Sequence, residues 1–521
     1  MPTWANMLEF LKGDPAFFAK FVDMYPRFVL HRDVKQLIGV LLSTRSPDEG
    51  LFALPFPSPV AAHACADFIS ATPRTDGKDP LDPSTLSITS LNTTPPVTAL
   101  FFPAARMMDV VPWWTITGRG LSSRAAEAAL SSIANTPLAE SPLPGPETPF
   151  TSPAHDALRA RIAQLLNRAQ RQGSPYVAAG DVHLYQTGMT AICAAHTALL
   201  HFRGTKTVMF NLPFHSTVHV FEYFGPGVQF FPLGTELAAL ETYLESEAAA
   251  GSPVQAIWTE IPSNPLLVTA DLAALKALAM RFEAVLVVDD TIGSFANVDV
   301  LPEADVLVTS LTKSFSGYAD VMGGNVVLNP SSKYYTYLAT HFNGAMEEMF
   351  VADAETLLHN SADYLARTAV LNRNAQELAK YLSHRATLEG SSVTRVYYPQ
   401  VAETKEHYEA LMRPPTAEFT PGYGCLLSVE FTSVGAAKAF YDHLYVHNGP
   451  HLGAHLTLAL PHPKALYDKE LEEVREWGMK EEQIRISVGL EEVAELLITF
   501  MFALTKADEA EAARDLVKEK V

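Results

Sequence analysis

Four short segments place the side chains of one chemistry at the ends of apolar runs. In TSLTKSFSG, Lys313 follows the run DVLVTS (305–310) and is flanked by the hydroxyls of Ser310 and Thr312. A lysine at the edge of a buried strand is desolvated, which lowers its pKa and suits the amine to Schiff-base chemistry. In VVDDT, Asp289 stands near the end of the run AVLVVDD (284–290). A carboxylate there needs a cationic or donor partner, because burying it alone costs several kcal/mol. In QTGMTAI, Gly188 and Met189 lead into the helical run MTAICAAHTALL. Backbone N–H groups and the helix dipole at such a start favour a phosphate. In EIPSNPL, Asn264 sits after a strand, with an amide able to donate to a phenolate oxygen. Each alone has an ordinary explanation: an exposed loop lysine, a helix cap or ion pair, a glycine before a helix, a turn. Together they match the needs of pyridoxal 5'-phosphate: a phosphate cradle, an amide for the ring oxygen, an acid for the ring nitrogen and a lysine for the aldehyde.

Regular strand ends are needed to hold these groups. After residue 154 the chain alternates short apolar runs, TKTVMF (205–210), VQAIWTE (254–260), AVLVVDD, DVLVTS and GGNVVL (323–328), with helical segments such as HDALRARIAQLLNRAQ. The segment DLAALKALAMRF (271–282) opens on Asp271, a good N-cap, and repeats apolar residues at helical spacing. This pattern predicts an α/β fold with a mostly parallel sheet buried on both faces. Ligands of such sheets sit beyond the carboxyl ends of the strands. Residues 354–385 read as strongly helical. The strand-like YGCLLSVEFT (423–432) and IRISVG (484–489), with the helical GAAKAFYDHL (435–444), predict a smaller α+β domain. The expected division is an N-terminal extension (1–153), a large cofactor-binding domain (154–345) and a C-terminal domain (346–521). Residues 73–97 read as a loop, and 136–153, with six prolines, as a linker or insertion. VAELLITFMFALT (493–505) reads as a buried helix, too short to span a membrane.

Bulk properties narrow the function. The 521 residues suggest about three domains, and 48 % hydrophobic with 18 % charged residues is ordinary globular composition. A net charge of −20 argues against a nucleic-acid partner, which would require a basic face. Cys65, Cys193 and Cys425 are too far apart to suggest a metal site or a disulfide framework, so buried free thiols are expected, and no metal. The N-terminus has no basic stretch followed by an apolar core, so a soluble cytoplasmic protein is expected.

The motif SLTKSFSGYADVMGGN resembles the lysine motif of the Cys/Met-metabolism PLP enzymes, the cystathionine γ-synthase group. TGMTAI, PSNPLL, VVDDT and IRISVGLEE stand in that family's order. PTWANMLEF and GDPAFFAKFVDMYPRFVLH resemble the extended N-terminus of the group's long, fungal-type branch. The resemblance implies a fold-type I transferase architecture and a homodimer or homotetramer to which the N-terminal segment contributes contacts. It implies that Lys313 carries the cofactor and shuttles protons, and that Asp289 keeps the pyridine nitrogen protonated. Gly188 and Met189 would bind the phosphate with help from Ser310 and Thr312. Asn264 would contact the ring hydroxyl or the substrate carboxylate, and Arg485 would clamp the α-carboxylate through its bidentate fork. A tyrosine–arginine pair from a neighbouring subunit is expected at the phosphate, with Tyr25/Arg27 and Arg119 both in contention.

Several positions depart from the family pattern. Phe214 replaces a ring-stacking tyrosine; it can stack but carries no proton. His451 replaces a serine near the substrate, and Tyr318 stands where many relatives have His or Ala. The expected reaction is γ-substitution on an O-acylated L-homoserine, such as the O-acetyl ester, joining a thiol or carbon nucleophile to Cγ. A γ-lyase giving a 2-oxo acid and ammonia would use the same cofactor residues.

Overall fold

The computed structural model describes residues 3–18, 20–21, 29–135, 140–141, 152–344 and 349–518. Tyr25, Arg27 and nearly all of the proline-rich stretch 136–153 lie outside the described residues. Three sheets organise the rest. The first is antiparallel, in the order β1 (Leu51–Phe56), β3 (Val97–Pro103), β2 (Ser87–Leu91), β4 (Glu140–Ser141). Its strand β2 lies inside residues 73–97, where a loop was expected. SITSL is too short and polar to announce a strand; its pairing with β3, from Ser87 opposite Phe101 to Leu91 opposite Val97, is supplied by the tertiary fold.

The central sheet has seven strands: β5 (Val182–Tyr185), β6 (Thr207–Phe210), β7 (Val228–Phe231), β8 (Ala256–Glu260), β9 (Val285–Asp289), β10 (Val306–Thr309) and β11 (Gly324–Leu328). Their order is β5-β11-β10-β9-β8-β6-β7. Only β11 runs against its neighbours, so the sheet is mostly parallel, as the apolar runs predicted. Side chains alternate between faces with a period of two. Leu286, Val288, Ile257 and Leu307 join one apolar cluster, and Val285, Val287, Trp258, Val306 and Val308 join another. The helices Pro153–Leu166 and Leu272–Arg281 cover the first face, and Gly188–Phe202 and His215–Tyr223 cover the second. Asp271 caps its helix by accepting from the Ala274 N–H at 3.0 Å.

The third sheet has the order β12 (Val393–Tyr397), β13 (Leu426–Phe431), β16 (Gln483–Ser487), β15 (Leu458–Leu460), β14 (His447–Asn448). Three helices, Tyr364–Arg385, Val434–His443 and Val493–Lys518, pack with it into one core. The last of these is only half buried, contrary to the expectation for 493–505: Leu496, Phe500 and Leu504 face the core, while Ile498 is 67 % exposed. Two residues from the far end of the chain, Trp4 and Met7, complete this core. The Trp4 backbone N–H also donates to the Asp442 carboxylate at 2.6 Å. Helix Val351–Asn360 packs instead against the first face of the central sheet, through Ala354 and Leu357. Among the described residues, no helix is long and apolar enough to cross a membrane.

Candidate active site

The carboxyl ends of β8, β9 and β10 open onto a cavity of about 360 Å³. Lys313, Asp289, Asn264, Gly188, Met189, Phe214, Ser310, Thr312 and Arg485 all line it. Parallel strands end at one edge of the sheet, so residues far apart in sequence arrive together.

Asp289 is the last residue of β9 and is 7 % exposed. Its carboxylate accepts the Thr291 N–H at 2.9 Å, and burial pushes its pKa up to about 6. Lys313 lies in the turn after β10, which is closed by the Lys313 N–H to the Ser310 carbonyl and the Gly317 N–H to the Lys313 carbonyl. The Thr312 hydroxyl bonds the Gly323 backbone on both sides, at 3.0 and 3.2 Å, and ties this turn to the strand β11. Ser310 is fixed by its N–H donating to the Thr291 hydroxyl at 2.8 Å.

Gly188 opens the helix Gly188–Phe202, whose N-cap Thr187 accepts the Thr190 N–H at 3.0 Å. A Cβ at position 188 would come within 2.7 Å of Ser310 Cβ, so the two segments approach this closely only because residue 188 is glycine. Arg485, on β16, reaches the cavity from the C-terminal sheet. It donates to the Asn264 amide oxygen at 3.1 Å and to the Pro450 carbonyl. Burial lowers its pKa to about 10, leaving the guanidinium charged at neutral pH.

His451 and Arg119 lie off the wall of this cavity, Arg119 having been expected at the phosphate of a neighbouring subunit rather than its own. His451 is buried, but its neighbours Pro450 and Leu452 border this cavity, while His451 itself borders an adjoining one. Thr312 and Met322 form the partition between them. The turn at Gly453 packs against the Ser314 backbone, and the charges of Lys313 and Arg485 both act on His451. Arg119 does not line the cavity; Thr115 and Ile116 of the same segment do, and Gly118 packs against Thr187. Tyr318 also lies off the cavity wall, its hydroxyl donating to Asp363 at 2.9 Å.

The structure adds residues that the sequence reading did not single out. Glu260 ends β8 beside Asp289 and accepts the Phe214 N–H at 2.6 Å. Burial and then the Asp289 charge hold its carboxyl well above the usual range. The signal was present: Glu260 is an acid ending an apolar run, as Asp289 is. His219 and Tyr223 also line the cavity.

The donor set fits pyridoxal 5'-phosphate. It has a lysine, a strand-end acid, hydroxyls beside a helix start, and a glycine where any side chain would fill the cradle. Among the described residues, no group of three or more His, Cys, Asp or Glu is placed to hold a metal.

Comparison with known proteins agrees. The family model described as "Cys/Met metabolism PLP-dependent enzyme" matches residues 150–505, and "Fungal trans-sulfuration enzyme, N-terminal domain" matches 33–122. An alanine racemase of Aspergillus violaceofuscus is 35 % identical, over 97 % of this chain and 94 % of the relative. A cystathionine gamma-synthase-like enzyme of Amanita muscaria is 32 % identical, over 98 % and 96 %. The cystathionine gamma-synthase of Neurospora crassa is 30 % identical, over 98 % and 96 %. The crystal structure of cystathionine gamma synthase from Xanthomonas oryzae pv. oryzae, in complex with aminoacrylate and cysteine, superposes with a TM-score of 0.55 at 25 % identity, covering 69 % of this chain and 87 % of that one.

Proposed function

We propose that this chain, which belongs to the Cys/Met-metabolism family of PLP-dependent enzymes, catalyses γ-substitution on an O-acylated L-homoserine, delivering a thiol or carbon nucleophile to Cγ. The observation that carries the reading is the convergence of Lys313, Asp289 and Arg485 on one cavity.

Pyridoxal phosphate, when bound, supplies the electron sink that acidifies the protons of the substrate amino acid. Lys313 would hold it covalently; the start of helix Gly188–Phe202 with Ser310 and Thr312 would hold its phosphate, and Phe214 would pack on its ring. Asp289 would keep a proton on the ring nitrogen, an ion pair that offsets the cost of burying the carboxylate. Arg485, braced by Asn264, would clamp the substrate α-carboxylate, which selects an α-amino acid and orients its Cα proton toward Lys313. The Lys313 amine would move the protons at Cα and Cβ of the bound amino acid.

Incubation with O-acetyl-L-homoserine and cysteine, and separately with β-keto acids, tests the proposal through mass analysis of the products. A product joined through Cγ is expected. Conversion of the ester to 2-oxobutanoate and ammonia with no joined product would instead identify a γ-lyase. A second reading, racemisation of a small amino acid, is favoured by the relative named as an alanine racemase. Chiral analysis of L-alanine after incubation separates it from the first.

A further inference from the structure

The helix His215–Tyr223 turns one side toward the cavity: His215, Ser216, His219 and Tyr223 all border it. None of these is used in binding the cofactor or the α-carboxylate. Yet γ-substitution has a second requirement that Lys313 does not meet by itself. The incoming nucleophile carries a proton, which must leave as its new bond forms. Phe214, at the start of this helix, has no group to take it.

His219 does. Its Nδ1 lies 2.8 Å from the Glu222 carboxylate, one helical turn on. A carboxylate at that distance accepts a proton from Nδ1 of the neutral ring, the tautomer that leaves the lone pair on Nε2. His215 stands edge-on to His219 at 4.7 Å and is held on its other side by Tyr467 at 4.9 Å. Tyr223 stacks on His219 at 5.3 Å and 9°. The charged and titratable groups around the ring are therefore His215, Glu222 and Tyr223 on its own helix, with Tyr467 and Asp76 beyond them. Burial, then the neighbouring His219, lowers the pKa of His215 to about 4, so it adds no positive charge at neutral pH. The side chains of His219 and Glu222 are 29 % and 42 % exposed, which gives the proton a route to water.

We propose that His219 is the base that activates the nucleophilic co-substrate, with Glu222 as its positioning residue; this rests on the γ-substitution reading. Lys313 takes the Cβ proton, and the Cβ–H pair becomes the Cβ=Cγ π bond as the acyl carboxylate leaves Cγ with the C–O pair. The nucleophile's X–H proton then passes to Nε2 of His219, the freed pair forms the X–Cγ bond, and the π pair returns to Cβ, which Lys313 reprotonates.

The test uses the holoenzyme with O-acetyl-L-homoserine and cysteine. Deuterium exchange at Cα reports the part played by Lys313, and joined product reports capture of the nucleophile. His219→Gln is expected to lower capture by about a hundred-fold, with α-exchange falling by less than about three-fold. In nitrogen NMR of the protein, Glu222→Gln should shift His219 away from the Nδ1–H tautomer. Capture by His219→Gln at the wild-type rate overturns the proposal alone. So does a Glu222→Gln protein with an unchanged tautomer. Wild-type α-exchange without capture of any nucleophile overturns the γ-substitution reading, and this proposal with it.

Discussion

Glu260 and Asp289 occupy paired positions at the ends of the adjacent parallel strands β8 and β9, so two buried carboxylates border one cavity side by side. Both are held above the ordinary carboxylate range, and ionisation of one opposes ionisation of the other. A cationic ring nitrogen held at Asp289, as proposed above, would relieve that opposition. The pair is therefore a site that is costly to keep charged until its cofactor arrives.

This cost makes the stability of the cofactor-free protein depend on pH. Asp289 has a folded pKa of about 6 against an ordinary 3.8. Its folded value is raised, so its contribution is fully favourable below the unfolded pKa and is lost as pH rises through the folded one. The loss amounts to at most about 3 kcal/mol. Removing the charge with Asp289→Asn should leave an apoprotein that melts progressively higher than the wild type as pH rises from about 4 to about 7. Thermal melting at a series of pH values checks this, and a gap that stays constant with pH would contradict it. Loading the cofactor should close or reverse the gap.

Lys313→Ala should abolish turnover, with a loss of at least about a hundred-fold. It should also leave the protein without a covalently held cofactor. The absorbance spectrum and borohydride trapping followed by peptide mapping measure this directly. Full activity in the variant would end the assignment of Lys313.

Arg485→Lys keeps the charge but loses the fork and its bond to Asn264. The KM for the amino-acid substrate is expected to rise by about 10- to 100-fold, corresponding to roughly 1.5–3 kcal/mol for a charge-assisted hydrogen bond. Steady-state kinetics with amino-acid and co-substrate varied separately checks it. The KM for the co-substrate should move much less.

Gly188→Ala puts a methyl group within 2.7 Å of Ser310 Cβ, which forces the cradle open. The Kd for pyridoxal phosphate is expected to rise about ten-fold, equivalent to about 1.4 kcal/mol. Cofactor titration of the apoproteins is the measurement. Unchanged affinity in the variant would show that the phosphate sits elsewhere.

Much of the site was legible in the chain because a mostly parallel sheet turns local pattern into position. The ends of AVLVVDD and DVLVTS became the ends of β9 and β10, and Asp289 and Lys313 fell where strand ends must fall. Arg485 arrived from a different sheet, and only the family resemblance had pointed to it. His451 borders the adjoining cavity across Thr312 and Met322, a partition that brings together residues far apart in sequence and has no local signal. The strand Ser87–Leu91 escaped notice because its hydrogen bonds come from β3 rather than from any local preference. Glu222 and His219 meet one helical turn apart, yet a sequence alone does not tell which side of that helix faces the cavity.

The seating of Trp4 and Met7 in the core of the C-terminal sheet has a consequence for biosynthesis. Trp4 and its partner Asp442 are 438 residues apart. A ribosome adding about 5–20 residues per second leaves the helix Trp4–Leu11 waiting on the order of 20 to 90 seconds for its binding surface to be made. During that interval its tryptophan and methionine are open to chaperones, to neighbouring nascent chains and to proteases. Docking of this helix is then among the last events in maturation, and it marks a finished molecule from one still being assembled.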